Sequence, residues 1–143
     1  MNDRIKGLYQ EHILAKSKDE SRIGQLKNPT HVLEAYNPMC GDKYTLYLFI
    51  ENNLVKEAMF EGYGCAISKA STVVLIDTII GKSLEEISAA IKKFLQLIDA
   101  RSDKEPEEIT SDDQLLAFAA AREFPERRTC ASLSWNEFNE EFK

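Results

Sequence analysis

The sequence is short of the features that mark several common functions. No apolar run approaches the roughly 20 residues that a membrane helix needs. Asp3, Arg4 and Lys6 put charge where a secretory leader carries its apolar segment. Both absences point to a cytoplasmic protein with no membrane partner. Basic residues are outnumbered, 18 Lys and Arg against 24 Asp and Glu, for a net charge of -6. The one basic cluster, Arg122 with Arg127 and Arg128, is too thin for a phosphate-gripping face, which argues against a nucleic-acid partner. There are 2 histidines, His12 and His31, and 3 cysteines. An odd number of cysteines in a cytosolic chain does not make a disulfide framework. Internal repeats and low-complexity tracts are also absent.

What is present suits one soluble domain over residues 1–143, with 43% hydrophobic and 29% charged residues. Ile5, Leu8, Tyr9, His12 and Ile13 recur at helical spacing and predict a helix over 2–16, followed by a polar loop to Pro29. Residues 30–36 read as a short strand. Tyr44 to Glu51 alternates, Asn52-Asn53 supplies a turn, and Leu54 to Phe60 returns as the second arm of a hairpin. Gly62-Tyr63-Gly64 then breaks the strand, and a helix runs from Cys65 to Ile80 until Gly81 ends it. Ser83 with Glu86 forms a capping box for a helix carrying Leu84, Ile87, Ile91, Phe94, Leu95 and Ile98. Residues 101–110 read as a mobile connector. Ser111 with Gln114 offers a second box for a helix over Leu115–Phe124, which Pro125 stops, and a last helix spans Thr129 to Phe142. The fold class is α+β: a small antiparallel sheet of about three strands against several helices.

Chemistry concentrates in three segments. In Asn37-Pro38-Met39-Cys40-Gly41-Asp42, a thiol and a carboxylate two residues apart point to one side of extended chain. In Gly62-Tyr63-Gly64-Cys65, a cysteine falls at a helix start, where unpaired N–H groups favour a thiolate. In Pro125-Glu126-Arg127-Arg128-Thr129-Cys130, two arginines precede a cysteine near another helix start, and positive charge lowers a thiol pKa. Any single cysteine reads equally well as a small buried hydrophobe. Three of them, each at an element boundary, make with Asp42 a set of four ligands, enough for a closed tetrahedral zinc site. Sulfur ligands suit zinc or an iron–sulfur unit better than magnesium or calcium.

These segments, with Ala-Ile-Ser68, Ala70-Ser71 and Ala-Ser-Leu-Ser-Trp135 extending the second and third, resemble the three signature blocks of the IscU/NifU-N-terminal/SufU proteins of iron–sulfur cluster assembly. The blocks occur in the family's order and cover the chain from about residue 30 onward. The third block, Pro-x-Arg-x-x-Cys-Ala-x-Leu-x-Trp, and the long stretch between Cys65 and Cys130 resemble the SufU-like branch. The IscU-type histidine beside the third cysteine and the Leu-Pro-Pro-Val-Lys motif are missing, and His31 reads as structural.

The resemblance implies that Cys40, Asp42, Cys65 and Cys130 bind zinc. It further implies that Cys40 accepts persulfide sulfur from a SufS-type cysteine desulfurase, with Arg127 as the family arginine near the site. The protein would then be a zinc-dependent sulfurtransferase serving downstream iron–sulfur assembly or acceptor proteins. The alternative is a scaffold on which Cys40, Cys65 and Cys130 hold a nascent [2Fe-2S] cluster that is later handed on.

Overall fold

The computed structural model describes residues 3–143; Asn2, the first residue of the expected N-terminal helix, lies outside them. Three antiparallel strands, β1 (His31–Asn37), β2 (Asp42–Glu51) and β3 (Leu54–Tyr63), form one sheet in chain order. Alternation puts Leu33 and Ala35 of β1 and Tyr44, Leu46 and Leu48 of β2 on one buried face. The β2–β3 turn is the two-residue kind in which both central residues need positive φ, and Asn52 (φ 54°) and Asn53 (φ 64°) supply it.

β3 runs further than the glycine pattern suggests. Gly62 and Tyr63 stay paired with Tyr44 and Lys43, so the strand ends after Tyr63 rather than at Gly62. A side chain at Gly62 would run into the Lys43 carbonyl, so glycine here lets two backbones approach instead of breaking the strand.

The helices cover the inner face. The N-terminal rod is α1 (Asp3–Leu8), a π-helical turn at Tyr9–Ile13, and α2 (Leu14–Ser17). α3 (Ala66–Ile79) is buried nearly all round, as a central helix must be, and packs on β3. α4 (Leu84–Leu97) begins at the expected Ser83–Glu86 capping box and buries Ile87, Ile91, Phe94 and Leu97. α7 (Pro125–Glu141) lies against α3 and β1. Its Trp135 stacks on Phe94 with ring centroids 3.9 Å apart, and Phe118 meets Phe94 edge-on at 5.4 Å. Fully buried Phe60, Phe94 and Phe138 each stabilise the core by about 1.5–3 kcal/mol.

Three further boundaries differ from the sequence expectation, each for a local reason. The 101–110 stretch contains α5 (Pro106–Ile109), with Pro106 and Ile109 buried and a Glu105–Glu108 capping box at its start. The next cap is Asp112, not Ser111: its carboxylate accepts the N–H groups of Gln114 and Leu115, starting α6 (Asp113–Leu116), which tightens into a 3₁₀ helix over Ala117–Glu123. Pro125 does not merely stop that segment. It is the first residue of α7, where its missing N–H is no loss and its fixed φ suits the helix. Cys130 therefore sits in the second turn of α7 and belongs to the core, not to a helix start.

Candidate functional site

The first site segment is a four-residue hairpin loop between Asn37 and Asp42, which are register partners. The Asn37 carbonyl accepts the Gly41 N–H at 2.8 Å, and its side-chain Oδ1 accepts the Met39 N–H at 3.1 Å. Gly41 adopts φ 77°, the left-handed conformation that such a loop requires. The loop lifts Cys40 into solvent while Asp42, on the inner face of β2, is only 2% exposed.

The second segment reaches Asp42 from the end of β3. The Cys65 backbone N–H donates to Asp42 Oδ1 at 3.1 Å, and Cys65 Sγ caps α3 by accepting the Ser68 N–H at 3.4 Å. Gly64 makes this approach feasible: a Cβ there would lie 2.5 Å from Ser68 Oγ and 2.6 Å from both Asp42 Oδ1 and the Tyr44 hydroxyl. The third segment is held by a seam of hydroxyls between α3 and α7. Ser71 donates to the Ala131 carbonyl, Trp135 Nε1 donates to Ser71 Oγ at 2.8 Å, and Thr72 and Ser134 share a hydrogen bond of 2.7 Å. Cys130 is thereby fixed facing the hairpin.

One ligand atom from each of Cys40, Asp42 and Cys130 lies within 4.8 Å of the other two. Cys65 stands outside that set, with its sulfur turned onto Ser68, although it neighbours both Asp42 and Cys130. Asp42 Oδ2 is buried and has no hydrogen-bond partner, which calls for a cation or a donor that moves in. The two sulfurs and the carboxylate with its orphaned oxygen are donors that suit a soft metal, and Cys65 stands beside them.

The electrostatics correct one sequence expectation. Burial pushes the Cys130 thiol well above its ordinary pKa, assisted by hydrogen bonding to Cys65 and by the nearby Cys65, Asp42 and Cys40 charges. The two preceding arginines do not lower it. Arg127 turns away and stacks 4.2 Å over Phe124 and 5.4 Å from the Tyr9 ring. Arg128 instead lines a hollow of about 510 Å³ with Leu95, Asp99 and Asn136. Bound as a free thiol, Cys130 is neutral at pH 7; as a ligand it must first lose its proton.

Several residues of the site were not singled out in the sequence. Tyr44 is fully buried with its hydroxyl 2.7 Å from Ser68 Oγ, and burial raises its pKa. Tyr9, on the π-helical turn, sits in the field of Arg127, Cys65 and Cys130. Its helical spacing signalled only a core-facing aromatic. Thr72, with no account in the sequence, is explained by its bond to Ser134. His31 stands away from the cysteines, edge-on to Phe142 at 5.1 Å.

The chain is similar to known proteins along nearly its whole length. Residues 8–131 match the NifU-like N terminal domain family. The iron-sulfur cluster assembly scaffold protein IscU of Thermotoga maritima is 34% identical over 139 residues, 97% of this chain and 95% of that protein. The zinc-dependent sulfurtransferase SufU of Bacillus subtilis is 32% identical over 134 residues, 94% of this chain and 88% of that one. Among solved structures, FiSufU of Fervidobacterium islandicum AW-1, described as an iron-sulfur cluster assembly scaffold protein for the SUF system, superposes with a TM-score of 0.83 at 31% identity. That match covers 96% of this chain and 98% of the other.

Proposed function

Because the chain belongs to the family of NifU-like N-terminal domains, we propose that it is a cytoplasmic iron–sulfur cluster assembly protein that binds zinc through Cys40, Asp42, Cys65 and Cys130 and takes persulfide sulfur on Cys40 from a cysteine desulfurase. The observation that carries this reading is the pairing of an exposed thiol with a buried, unsatisfied carboxylate oxygen. Cys40 stands at the loop tip, and Asp42 Oδ2 lies beneath it without a partner. Zinc at this site would keep its thiols deprotonated at neutral pH.

The transfer itself is an exchange. The Cys40 thiolate attacks the outer sulfur of the desulfurase's cysteine persulfide, a new S–S bond forms on Cys40, the old one breaks, and the desulfurase leaves as a thiolate. No net oxidation or reduction occurs. The step needs Cys40 free to attack, so one contact in a closed ligand set has to yield. Either a ligand leaves or the desulfurase supplies a replacement such as a histidine, and Asp42, the hard ligand among sulfurs, makes that exchange easier. Arg127, one helical turn before Cys130 and held over Tyr9 and Phe124, serves the incoming partner. The desulfurase is of the SufS type, which the Pro125–Trp135 block supports through its likeness to the SufU branch.

A second reading is favoured by the names of two relatives. The Thermotoga maritima and Streptococcus pyogenes proteins are both called cluster assembly scaffolds. On that reading Cys40, Cys65 and Cys130 hold a [2Fe-2S] cluster that passes to an acceptor protein. Desulfurase turnover separates the two. A zinc-replete protein that strongly stimulates sulfide or alanine release from cysteine, with stimulation lost in Cys40→Ala, supports sulfur acceptance. Zinc binding without stimulation, together with a stable and transferable cluster after reconstitution with iron and sulfide, favours the scaffold.

A further inference from the structure

Of the basic cluster in the sequence, Arg122 and Arg127 are both engaged. Arg122 donates to the carbonyls of Leu97 at 2.8 Å, Lys104 at 2.9 Å and Gln96 at 3.2 Å. Arg127 stacks on Phe124 and Tyr9. The arginines elsewhere, Arg4, Arg22 and Arg101, each hold an aspartate. Arg128 is the exception. It is half-buried, its Nε is shut off from solvent, and its guanidinium bonds to no described residue. Asp99 lies in its field but accepts the Arg101 N–H at 2.9 Å instead. A cation taken partly out of water without a partner is disfavoured, so this position suits an anion that comes from outside the chain.

Arg128 faces the hollow of about 510 Å³ between α4 and α7. A second hollow of about 430 Å³ shares Leu95, Asp99 and Arg101 with the first and runs on to Lys104, so the two make one trough. Its walls are already built. The Arg122 clamp ties the end of α4 to the turn at Lys104, and the Asp99–Arg101 contact orders the chain between them. Leu95 and Ile98 give the trough an apolar floor. Thr129 and Ser132 bring hydroxyls whose bonds within α7 are long, 3.4 Å each, and therefore easily exchanged for a better acceptor. Three cations, Arg101, Lys104 and Arg128, face two carboxylates, Asp99 and Asp103, on a chain whose net charge is -6. Cys130 lies two residues beyond Arg128, roughly 200° around the helix, and no cysteine borders the trough.

We propose that the trough between α4 and α7 docks an acidic segment of a partner protein, with a carboxylate paired to the Arg128 guanidinium and an apolar neighbour laid on Leu95 and Ile98. The occupant leaves the cysteine loop uncovered, so the partner held here can be bound while Cys40 reacts. The surface is independent of the metal, and it stands whichever reading of the cysteine site is correct.

The test uses the full chain and a capped peptide, acetyl-Glu-Leu-Glu-Glu-amide, followed by amide and arginine Nε–H signals in two-dimensional NMR. The expected result is a saturable shift confined to residues 95–104 and 125–136 and to the Arg128 Nε–H. Arg128→Gln should weaken binding at least about fivefold, the size of one hydrogen-bonded charge pair, and Arg128→Lys should fall between. Ser132→Glu, which places a carboxylate one turn from Arg128 inside the trough, should block the peptide as strongly while leaving the helix intact. Lys6→Gln removes a charge elsewhere and should change nothing. The rate at which Cys40 reacts with a disulfide reagent should be the same with and without peptide. The proposal is overturned by an absent or non-saturable shift, by shifts centred on the cysteine loop, or by equal losses in Lys6→Gln and folded Arg128→Gln. It is equally overturned if inorganic phosphate moves the same signals with the affinity of the peptide, which would make the trough a site for free anions, or if the peptide with lysine in place of glutamate binds as well.

Discussion

The Cys65 backbone N–H donates to Asp42 Oδ1 at 3.1 Å, and this single bond ties the start of α3 to the start of β2. It forms only because Gly64 has no side chain. Gly64→Ala would press a methyl group against Ser68, Asp42 and Tyr44 at once. None of these is free to swing away: Asp42 is bonded to Cys65, and Tyr44 is bonded to Ser68. The expected cost is about 1–3 kcal/mol of stability, typical of overpacking. Zinc affinity should fall as well, because Cys65 and Asp42 are driven apart. Urea denaturation and a zinc titration on the same variant check both.

The hydroxyl seam predicts an asymmetry between two neighbouring substitutions. Thr72 Oγ1 bonds both Ser134 Oγ at 2.7 Å and the Ser68 carbonyl at 2.8 Å. In Ser134→Ala the threonine keeps a partner, so the loss should be small, about 0.5–1 kcal/mol. In Thr72→Val, an equal-sized change, the buried Ser134 hydroxyl loses its bond to Thr72, and the cost should reach about 1–3 kcal/mol. The double variant should recover part of that, since both polar groups are gone. A double-mutant cycle in chemical denaturation measures the coupling.

Much of this architecture is legible in the sequence. The alternation from Tyr44 and the Asn52-Asn53 pair specify the β2–β3 hairpin, and the Ser83–Glu86 box marks the start of α4 to the residue. Two of the misread boundaries share a cause, a residue with two opposite uses. Pro125 ends one helix and begins the next, and Gly62 permits close strand pairing where a break was expected. The site is less legible. Local spacing pairs Cys40 with Asp42, but Cys130 joins them through tertiary packing of α7 on α3 and β1, which no local spacing encodes; the likeness of three blocks to a known family supplied the stronger signal. Burial also reversed the expected effect of the arginines on Cys130, because a neighbour in sequence is not a neighbour in space.

Arg127 should affect sulfur transfer without affecting metal. Its guanidinium rests on Phe124 and Tyr9 and donates to none of the four candidate ligands. Loss of these contacts costs about 0.5–1 kcal/mol for a half-buried cation over aromatic rings. Arg127→Glu should therefore stay folded and keep its zinc, while its stimulation of the desulfurase drops at least about tenfold. Arg127→Lys keeps the charge but loses the flat stacking surface, and should fall between. Zinc content by elemental analysis, set beside alanine release, checks the split. Unchanged stimulation in Arg127→Glu would remove the arginine from the partner-facing role.

The far end of α7 offers a pH test that is independent of the metal site. Glu137 lies one turn from both Glu140 and Glu141, and its carboxyl is pushed above the usual range, first by burial and then by the Glu141 and Glu140 charges. A carboxyl whose pKa is higher in the folded than in the unfolded chain favours folding when protonated and opposes it when ionised. Its contribution is therefore fully present below the unfolded value near 4.5 and is lost as pH rises through the higher folded value. At pH 7 the charge is a net cost, aggravated by the negative end of the helix dipole. Glu137→Gln should accordingly stabilise the protein at pH 7 by about 0.2–0.5 kcal/mol, the size of a relieved like-charge pair on a solvated helix face. The gain should vanish at pH 4 and below, where wild-type Glu137 is itself protonated. Thermal melts of both proteins at the two pH values measure it, and an advantage of the same size at pH 4 would show that the glutamine acts by packing and not by charge.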